Sequence, residues 1–196
     1  MTTKNSGYSF SGFMAHRNYL FVKSLLIILL TGLFLSGTSQ TNNANTELQV
    51  KAAYLYNFTK FVYGNSQSGE NTAATITIGL IQANPIADLL DDFIRTTSQK
   101  PEIIVRRINS EFYDLAGCRF LYIDRSQKEK VPKILALLKG SAVVTVSDIE
   151  DFARRGGMIG FFQENGRIRI EINLSEIKKS GLEISAKLIE VARVVR

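Results

Sequence analysis

The residues most able to do chemistry lie close together after residue 147, and the first of them are three carboxylates. Asp148, Glu150 and Asp151 could form an acid–base pair or hold a metal ion. They also follow Ser147, which makes a capping-box pattern with Glu150, and acidic side chains in the first turn of a helix are stabilised by its dipole. We therefore interpret these acids as residues of a helix start, and we predict no catalytic residue, metal site or cofactor.

Two arginines and two glycines come next in the chain. Arg154 and Arg155 could hold a carboxylate through bidentate hydrogen bonds, and Gly156 and Gly157 could offer backbone amides beside them. Basic residues followed by glycine are also an ordinary way to end a helix, so both interpretations stay open. The glycines do not form a dinucleotide-binding motif, because a strand is predicted where that motif requires a helix. We take these four residues as candidate binding residues.

The first 39 residues have the pattern of a secretory signal peptide. Three basic residues, Lys4, Arg17 and Lys23, precede an apolar run over residues 25–35, and small polar residues follow the run. The run is shorter than the roughly 20 apolar residues that cross a bilayer, so an uncleaved anchor is the weaker alternative. We predict cleavage near residue 39, a polar linker over residues 40–45, a single domain over 46–196, and a periplasmic protein without a membrane span.

Removal of the signal peptide limits the chemistry that remains. His16, the only histidine, leaves with it, so the exported domain has no imidazole for general-base catalysis or metal binding. The net charge falls from +6 to +3, since 21 basic residues then face 18 acidic ones, and we expect no nucleic-acid partner. Cys118 is the only cysteine. We expect a buried thiol, and the alternative is a disulfide between two chains.

Helices and short apolar strands alternate along the rest of the chain. A capping box at Thr46 predicts a largely buried helix to about Tyr63, with Tyr54, Phe58 and Phe61 in the core. An exposed loop is predicted over residues 64–71. Strands are predicted near residues 75–81, 102–108, 119–124 and 142–146, and helices over 84–96, 126–139, 147–156, 175–181 and 185–195.

A β-hairpin is predicted in the last third of the chain. Asn165 and Gly166 separate two apolar runs, residues 158–163 and 167–173, and this dipeptide is the strongest short hairpin signal. Isoleucines alternate with charged residues on the second strand, so Arg167, Arg169 and Glu171 are predicted on its wetter face. The fold class that follows is α/β: a mixed, roughly six-stranded sheet with helices on both faces.

Three segments of the chain resemble the YfiR family of periplasmic proteins. These are VKAAYLYNFTKFVY, GCRFLYIDRSQ and the block from Thr145 to Val195 that begins TVSDIEDFARRGGMIGFFQENGRIRIEIN, and the resemblance extends from Val50 to Val195. It implies an exported α/β protein without enzymatic activity, which represses a membrane diguanylate cyclase by binding its periplasmic domain and so affects cyclic-di-GMP signalling and biofilm formation. It also implies a functional surface near residues 152–161 and at the hairpin strand that ends in Asn173. Family members that sense redox state have more than one cysteine, whereas this chain has only Cys118.

The function predicted is therefore that of a periplasmic regulatory protein, not an enzyme. Its partner would be a membrane signalling protein, either a diguanylate cyclase or a sensor kinase. Two copies of the chain could in addition form a homodimer. One alternative is a small-ligand-binding or scaffold protein of the cell envelope with the same fold. An enzyme would have to work with carboxylates, tyrosine or arginine alone.

Overall fold

The structure is a computed structural model that describes residues 40–64, 75–82, 85–97, 101–108, 115 and 117–195. The described residues from 45 onward group into one compact unit. Three predicted features lie outside the described residues. They are the signal peptide with His16, residues 65–71 of the exposed loop, and residue 84, where the second helix was predicted to begin.

Five α-helices and nine strands make up the described part of the chain. The helices are α1 Gln40–Phe61, α2 Pro85–Arg95, α3 Val131–Leu137, α4 Leu174–Lys179 and α5 Ala186–Glu190, and a 3-10 helix, Arg125–Lys130, precedes α3. The strands are β1 Val62–Gly64, β2 Thr75–Ile81, β3 Glu102–Ile108, β4 Phe120–Ile123, β5 Val144–Ser147, β6 Ile159–Glu164, β7 Arg167–Asn173, β8 Leu182–Ile184 and β9 Arg193–Val195.

Seven of these strands form one mixed sheet in the order β3-β2-β4-β5-β6-β7-β9. All neighbours in this sheet are parallel except β6 and β7, which form the antiparallel hairpin. The two remaining strands, β1 and β8, form a small antiparallel sheet of their own. Because β4 and β5 are parallel, their carboxyl ends lie at the same end of the sheet. Ligands bind at this end of the strands in open α/β folds.

Apolar side chains fill both faces of the sheet. On one face α1 and α2 pack against β2 through fully buried side chains such as Phe58, Leu90 and Ile78. On the other face α3 packs through Ile134 against Leu121 of β4. The α/β class, the mixed sheet, the helices on both faces and the C-terminal hairpin are therefore confirmed, and the sheet has seven strands where about six were predicted.

The hairpin turn has the geometry that its sequence requires. Asn165 and Gly166 have φ values of 51° and 71°, and Glu164 pairs with Arg167 across the turn. Both central residues of a type I′ turn need positive φ, which asparagine and glycine tolerate. The prediction of a two-residue turn at this position is confirmed.

Four predicted elements differ from the structure. The first helix begins at Gln40, inside the stretch interpreted as a linker, and ends at Phe61 because Val62–Gly64 pairs with β8. The helix predicted over residues 126–139 begins instead as the 3-10 helix Arg125–Lys130, which Asp124 caps by accepting a hydrogen bond from the Ser126 amide at 2.9 Å. The remaining two differences concern the segment after β5 and the C-terminus.

The segment from residue 148 to 156 consists of turns and not of the predicted helix. The Ser147 hydroxyl donates to the Ile123 carbonyl at 2.7 Å and accepts from the Ile149 amide at 3.1 Å, so it ties β5 to β4 and does not cap a helix. At the C-terminus the predicted helix stops at Glu190, and residues 193–195 pair with β7 as strand β9. This last pairing covers an edge of the sheet that would otherwise stay open.

Candidate functional site

The loop between β5 and β6 is held in a fixed shape by its own backbone. The amides of Arg155 and Gly157 donate to the carbonyls of Asp151 and Phe152 at 3.0 Å each. Asp151 and Gly156 have φ values of 56° and 94°, so two residues of the loop have left-handed conformations. These bonds and turns fix where each side chain of the loop points.

Gly157 has a packing role. A Cβ atom built at this position would lie 2.2 Å from Cε1 of the buried Phe152 ring. No side chain fits there without a shift of the ring. The Gly157 amide donates to the Phe152 carbonyl, so the backbone of this residue closes the turn. A binding role for Gly157 and for Gly156 stays a prediction.

Asn173 fixes the same loop from the opposite strand. Its Nδ2 donates to the Ala153 carbonyl at 2.8 Å, and its Oδ1 accepts from the Glu176 amide at 3.1 Å, which caps α4. The side chain is buried and both of its ends are engaged. Asn173 thus positions the loop, and direct binding by it also stays a prediction.

A cleft of about 720 Å³ lies next to this loop. We call it the charged cleft, because its lining includes five basic and five acidic residues: Lys51, Arg125, Lys128, Arg154, Arg193, Glu47, Asp148, Glu150, Asp151 and Glu171. Asp148 directly follows β5, and Arg125 follows β4 by two residues. The cleft therefore lies at the carboxyl ends of these parallel strands, the usual ligand position in such folds.

A buried lysine forms one wall of the charged cleft. Lys51 Nζ lies 2.6 Å from Glu47 Oε1 and 2.8 Å from Asp148 Oδ2, with only 4% of its side chain exposed. Arg125 Nη2 approaches the same Asp148 oxygen at 3.3 Å. Below them, burial and then the charges of Asp148 and Asp124 raise the pKa of the Tyr122 hydroxyl. This wall is a set of compensated charges that joins α1 to the end of β5.

Arg154 also lines the charged cleft and is bound far more loosely. Its Nε lies 3.7 Å from Asp151 Oδ1 and 3.8 Å from Glu171 Oε2, which is too long for hydrogen bonds, and 52% of its side chain is exposed. Within the part of the chain that the structure describes, its terminal nitrogens donate no hydrogen bond. Arg154 can therefore form a bidentate pair with an incoming carboxylate.

Glu171 was predicted on the wet face of β7 and is instead buried. It lies opposite Gly160 of β6, where a Cβ atom would approach Glu171 Cγ to 3.3 Å. The missing side chain at Gly160 thus makes room for this carboxylate, which then lies beside Arg154. Arg167 and Arg169, predicted on the same face, are exposed.

Arg155 points to a different place from Arg154. It lines a second cavity of about 620 Å³, together with Gly156 and residues of α3 and α4. The sequence placed both arginines in one candidate site, and the structure separates their side chains into two.

Sequence reasoning missed the wall around Lys51. The sequence did contain a signal for this wall. Lys51 lies on the same helix face as the buried Leu55 and Phe58, four and seven residues further along α1. A charged residue on a core stripe calls for a partner. Arg125 and Arg193, which also line the cleft, carried no signal of this kind.

Two further groups from the sequence analysis are the acidic residues after β5 and the aromatic residues of α1. In the described part of the chain no group of three or more potential metal ligands comes together, and Asp148 instead serves as an ion-pair partner. Tyr54 and Phe58 pack on Phe161 with ring centres 5.8 and 6.1 Å apart, and Phe61 packs against the same core, as predicted.

Cys118 has the buried thiol that the sequence predicts. Only 4% of the residue is exposed, and Arg106 Nη2 donates to its sulfur at 2.8 Å. A disulfide with another chain would require this region to open first.

The structure shows an α/β domain with a charged cleft, and comparison with known families gives its class. Residues 48–193, well over half of the chain, match the YfiR/HmsC-like family, and the chain belongs to that family. No curated protein matches the sequence. Among the described residues no helix is both long and apolar enough to cross a membrane.

Proposed function

We propose that the protein is a periplasmic regulator that binds the periplasmic portion of a membrane signalling protein and holds it inactive. The partner proposed is a diguanylate cyclase, with a sensor kinase as the second choice. Membership of the YfiR/HmsC-like family supports this class of function. The absence of any histidine after His16 supports a binding protein over an enzyme that needs an imidazole base.

The observation that carries the proposal is the state of Arg154 in the charged cleft. Among the described residues the half-exposed Arg154 guanidinium makes no hydrogen bond and is available to a partner, whereas the buried Lys51 is already compensated on two sides. Arginine is enriched among the residues that dominate protein interfaces, because its planar group binds carboxylates bidentately. The partner surface that fits is one that presents an acidic side chain to Arg154.

The charges around Arg154 also determine which partner surfaces the cleft would repel. Five acidic side chains line it beside the five basic ones, so a uniformly acidic or uniformly basic surface would meet repulsion. A partner with an acidic residue flanked by basic ones fits best. This pattern favours selective binding to one protein over general attraction to anions.

The test is capture of the partner from envelope membranes with the purified protein as bait. We expect to recover a membrane protein with a periplasmic domain and a cytoplasmic cyclase or kinase domain. The bait Arg154→Glu should lose it, and the control bait Arg167→Glu, which makes the same charge change at an exposed residue that lines neither cavity, should retain it. Equal capture by all three baits would reject Arg154 as the contact.

A second function, small-ligand binding in the cell envelope, is favoured by the size of the charged cleft. Its volume of about 720 Å³ lies within the range of roughly 300–1,000 Å³ that is usual for ligand pockets. Capture without any signalling protein, together with a bound metabolite in the purified protein, would support this function over the first.

A further inference from the structure

The second cavity, which Arg155 lines, is a groove of about 620 Å³ with a composition unlike that of the charged cleft. It lies between α3, the loop before β5, the loop before β6 and α4. We call it the amphipathic groove, and its lining residues are Pro132, Leu135, Leu138, Lys139, Gly140, Val143, Thr145, Arg155, Gly156, Met158, Glu176, Lys179 and Ser180.

The floor of the amphipathic groove is apolar. Leu138, Val143 and Met158 contribute from the core, and Leu135 is half-buried beside them. A ligand chain placed on this floor would remove apolar surface from water, which is the main driving force for binding in such sites. The floor therefore favours a ligand with an apolar part.

The rim of the groove is cationic. Lys139, Arg155 and Lys179 surround it, and Glu176 is the only acidic residue in its lining. Glu176 neutralises Lys179 at 2.7 Å. Within the described residues the side chains of Lys139 and Arg155 form no ion pair or hydrogen bond, so two positive charges remain for an anionic head group.

Gly156 keeps the groove open. It has a φ of 94°, which disfavours other residues, and a Cβ atom built on it would point at Leu135 Cδ1 from 3.8 Å. A side chain at this position would thus extend over the floor. The glycine leaves the space between the charged rim and the apolar floor accessible.

We propose that the amphipathic groove binds a single-chain anionic amphiphile, with its carboxylate held by Arg155 and Lys139 and its alkyl chain on the floor. Exposed cations alone bind an anion weakly, within about 1 kcal/mol, so the apolar floor has to supply most of the affinity. A floor without the cations would accept neutral ligands equally well. The combination selects fatty acids and similar molecules.

This site is separate from the proposed partner surface. Arg154 and Arg155 are adjacent in sequence, but they line different cavities. Binding of an amphiphile and binding of a membrane protein can therefore be tested independently, and failure of one leaves the other standing.

The test uses isothermal titration calorimetry of the purified full chain with decanoate, decanol and acetate, all below micelle-forming concentrations. We expect decanoate to bind, decanol to bind about fivefold more weakly, the scale of ~1 kcal/mol for the cations, and acetate to give no measurable binding. Arg155→Glu should weaken decanoate binding at least tenfold. Arg167→Glu should leave it within twofold, and melting temperatures of both variants would show that they remain folded.

Two results would overturn the proposal. The first is no binding of decanoate to the wild type; if the protein then floats with vesicles that contain phosphatidylglycerol, it is attracted to a charged membrane surface and has no groove for a single chain. The second is an equal loss in Arg155→Glu and Arg167→Glu, which would show an effect of overall charge.

Discussion

Lys51 Nζ and Asp148 Oδ2, 97 residues apart in the chain, lie 2.8 Å from each other and join the first helix to the end of β5. Both side chains are at least nine-tenths buried. A buried ion pair contributes little against an apolar replacement of both partners, but removal of one partner leaves an uncompensated charge. The pair therefore fixes the position of α1 against the sheet.

Lys51→Met should consequently destabilise the protein by about 2–4 kcal/mol, because Asp148 would keep as its counter-charge only Arg125, which is exposed and lies at the longer distance of 3.3 Å. The measurement is the urea-unfolding midpoint. Lys133→Met, at an exposed position on α3, is the control and should change the free energy of unfolding by under about 0.5 kcal/mol. Equal effects of the two changes would show that the buried pair has no structural role.

The pKa of Tyr122 predicts a loss of stability at high pH. Burial raises this pKa above its ordinary value, so the hydroxyl stays protonated in the folded state while unfolded tyrosine ionises near pH 10. The unfolded state then binds fewer protons, and the free energy of unfolding falls as pH rises above about 10, by about 1.4 kcal/mol per pH unit for this group.

Tyr122→Phe removes that contribution. Its free energy of unfolding, measured by urea titration between about pH 9.5 and 11.5, should fall less steeply than that of the wild type, by a difference that approaches about 1.4 kcal/mol per pH unit at the upper end of this range. Identical slopes would mean that Tyr122 ionises normally in the folded protein.

The hairpin turn gives a prediction about backbone conformation. Gly166 has a φ of 71°, and no atom lies within 4 Å of the position that a Cβ would take, so a side chain there meets strain and no clash. Gly166→Val should lower the free energy of unfolding by at least ~1 kcal/mol, the cost of a left-handed β-branched residue. Gly166→Asn, which tolerates this conformation, should cost clearly less, and equal costs would point to a cause other than φ.

Gly157 gives the complementary prediction about packing. Gly157→Ala places a methyl group 2.2 Å from a Phe152 ring atom and should destabilise the protein by about 1–3 kcal/mol. The double variant with Phe152→Leu should lose less than the sum of the two single changes, because the smaller side chain gives way to the methyl group. Additive losses in chemical unfolding would show that the two residues do not compete for space.

Local patterns in the sequence were enough to predict most of the sheet. Strands β2 and β3 begin and end where the β-branched runs do, and the Asn165-Gly166 turn follows from two residues alone. Failures occurred where a tertiary contact overrode a local signal. Ser147 has the pattern of a helix cap, but its hydroxyl bonds to Ile123 in the neighbouring strand, 24 residues earlier.

The C-terminus is a second place where a tertiary contact overrode a local sequence signal. Ala192 and Val195 fit the helical spacing after Leu188, but residues 193–195 pair with β7, and no pattern near them reveals that pairing. The candidate site was found only in part for the same reason. Residues 154 and 155 were identified together, whereas their separation into two cavities, and the presence of Lys51 in one of them, depend on the folded arrangement.

The central claim is that Arg154 contributes to partner binding and not to folding. The most direct measurement is capture of the membrane partner by Arg154→Ala, by Arg155→Ala and by the double variant, with melting temperatures measured alongside. The account predicts that all three melt within a few degrees of the wild type. Exposed arginines contribute about 1 kcal/mol or less, and Arg154 lies 3.8 Å from the buried Glu171, which is too long for a hydrogen bond. It predicts about tenfold weaker capture by Arg154→Ala and the double variant, the scale of ~1.4 kcal/mol for an interface arginine, with Arg155→Ala near the wild type. Unfolded Arg154→Ala, or a folded variant that captures the partner as well as the wild type, would contradict it.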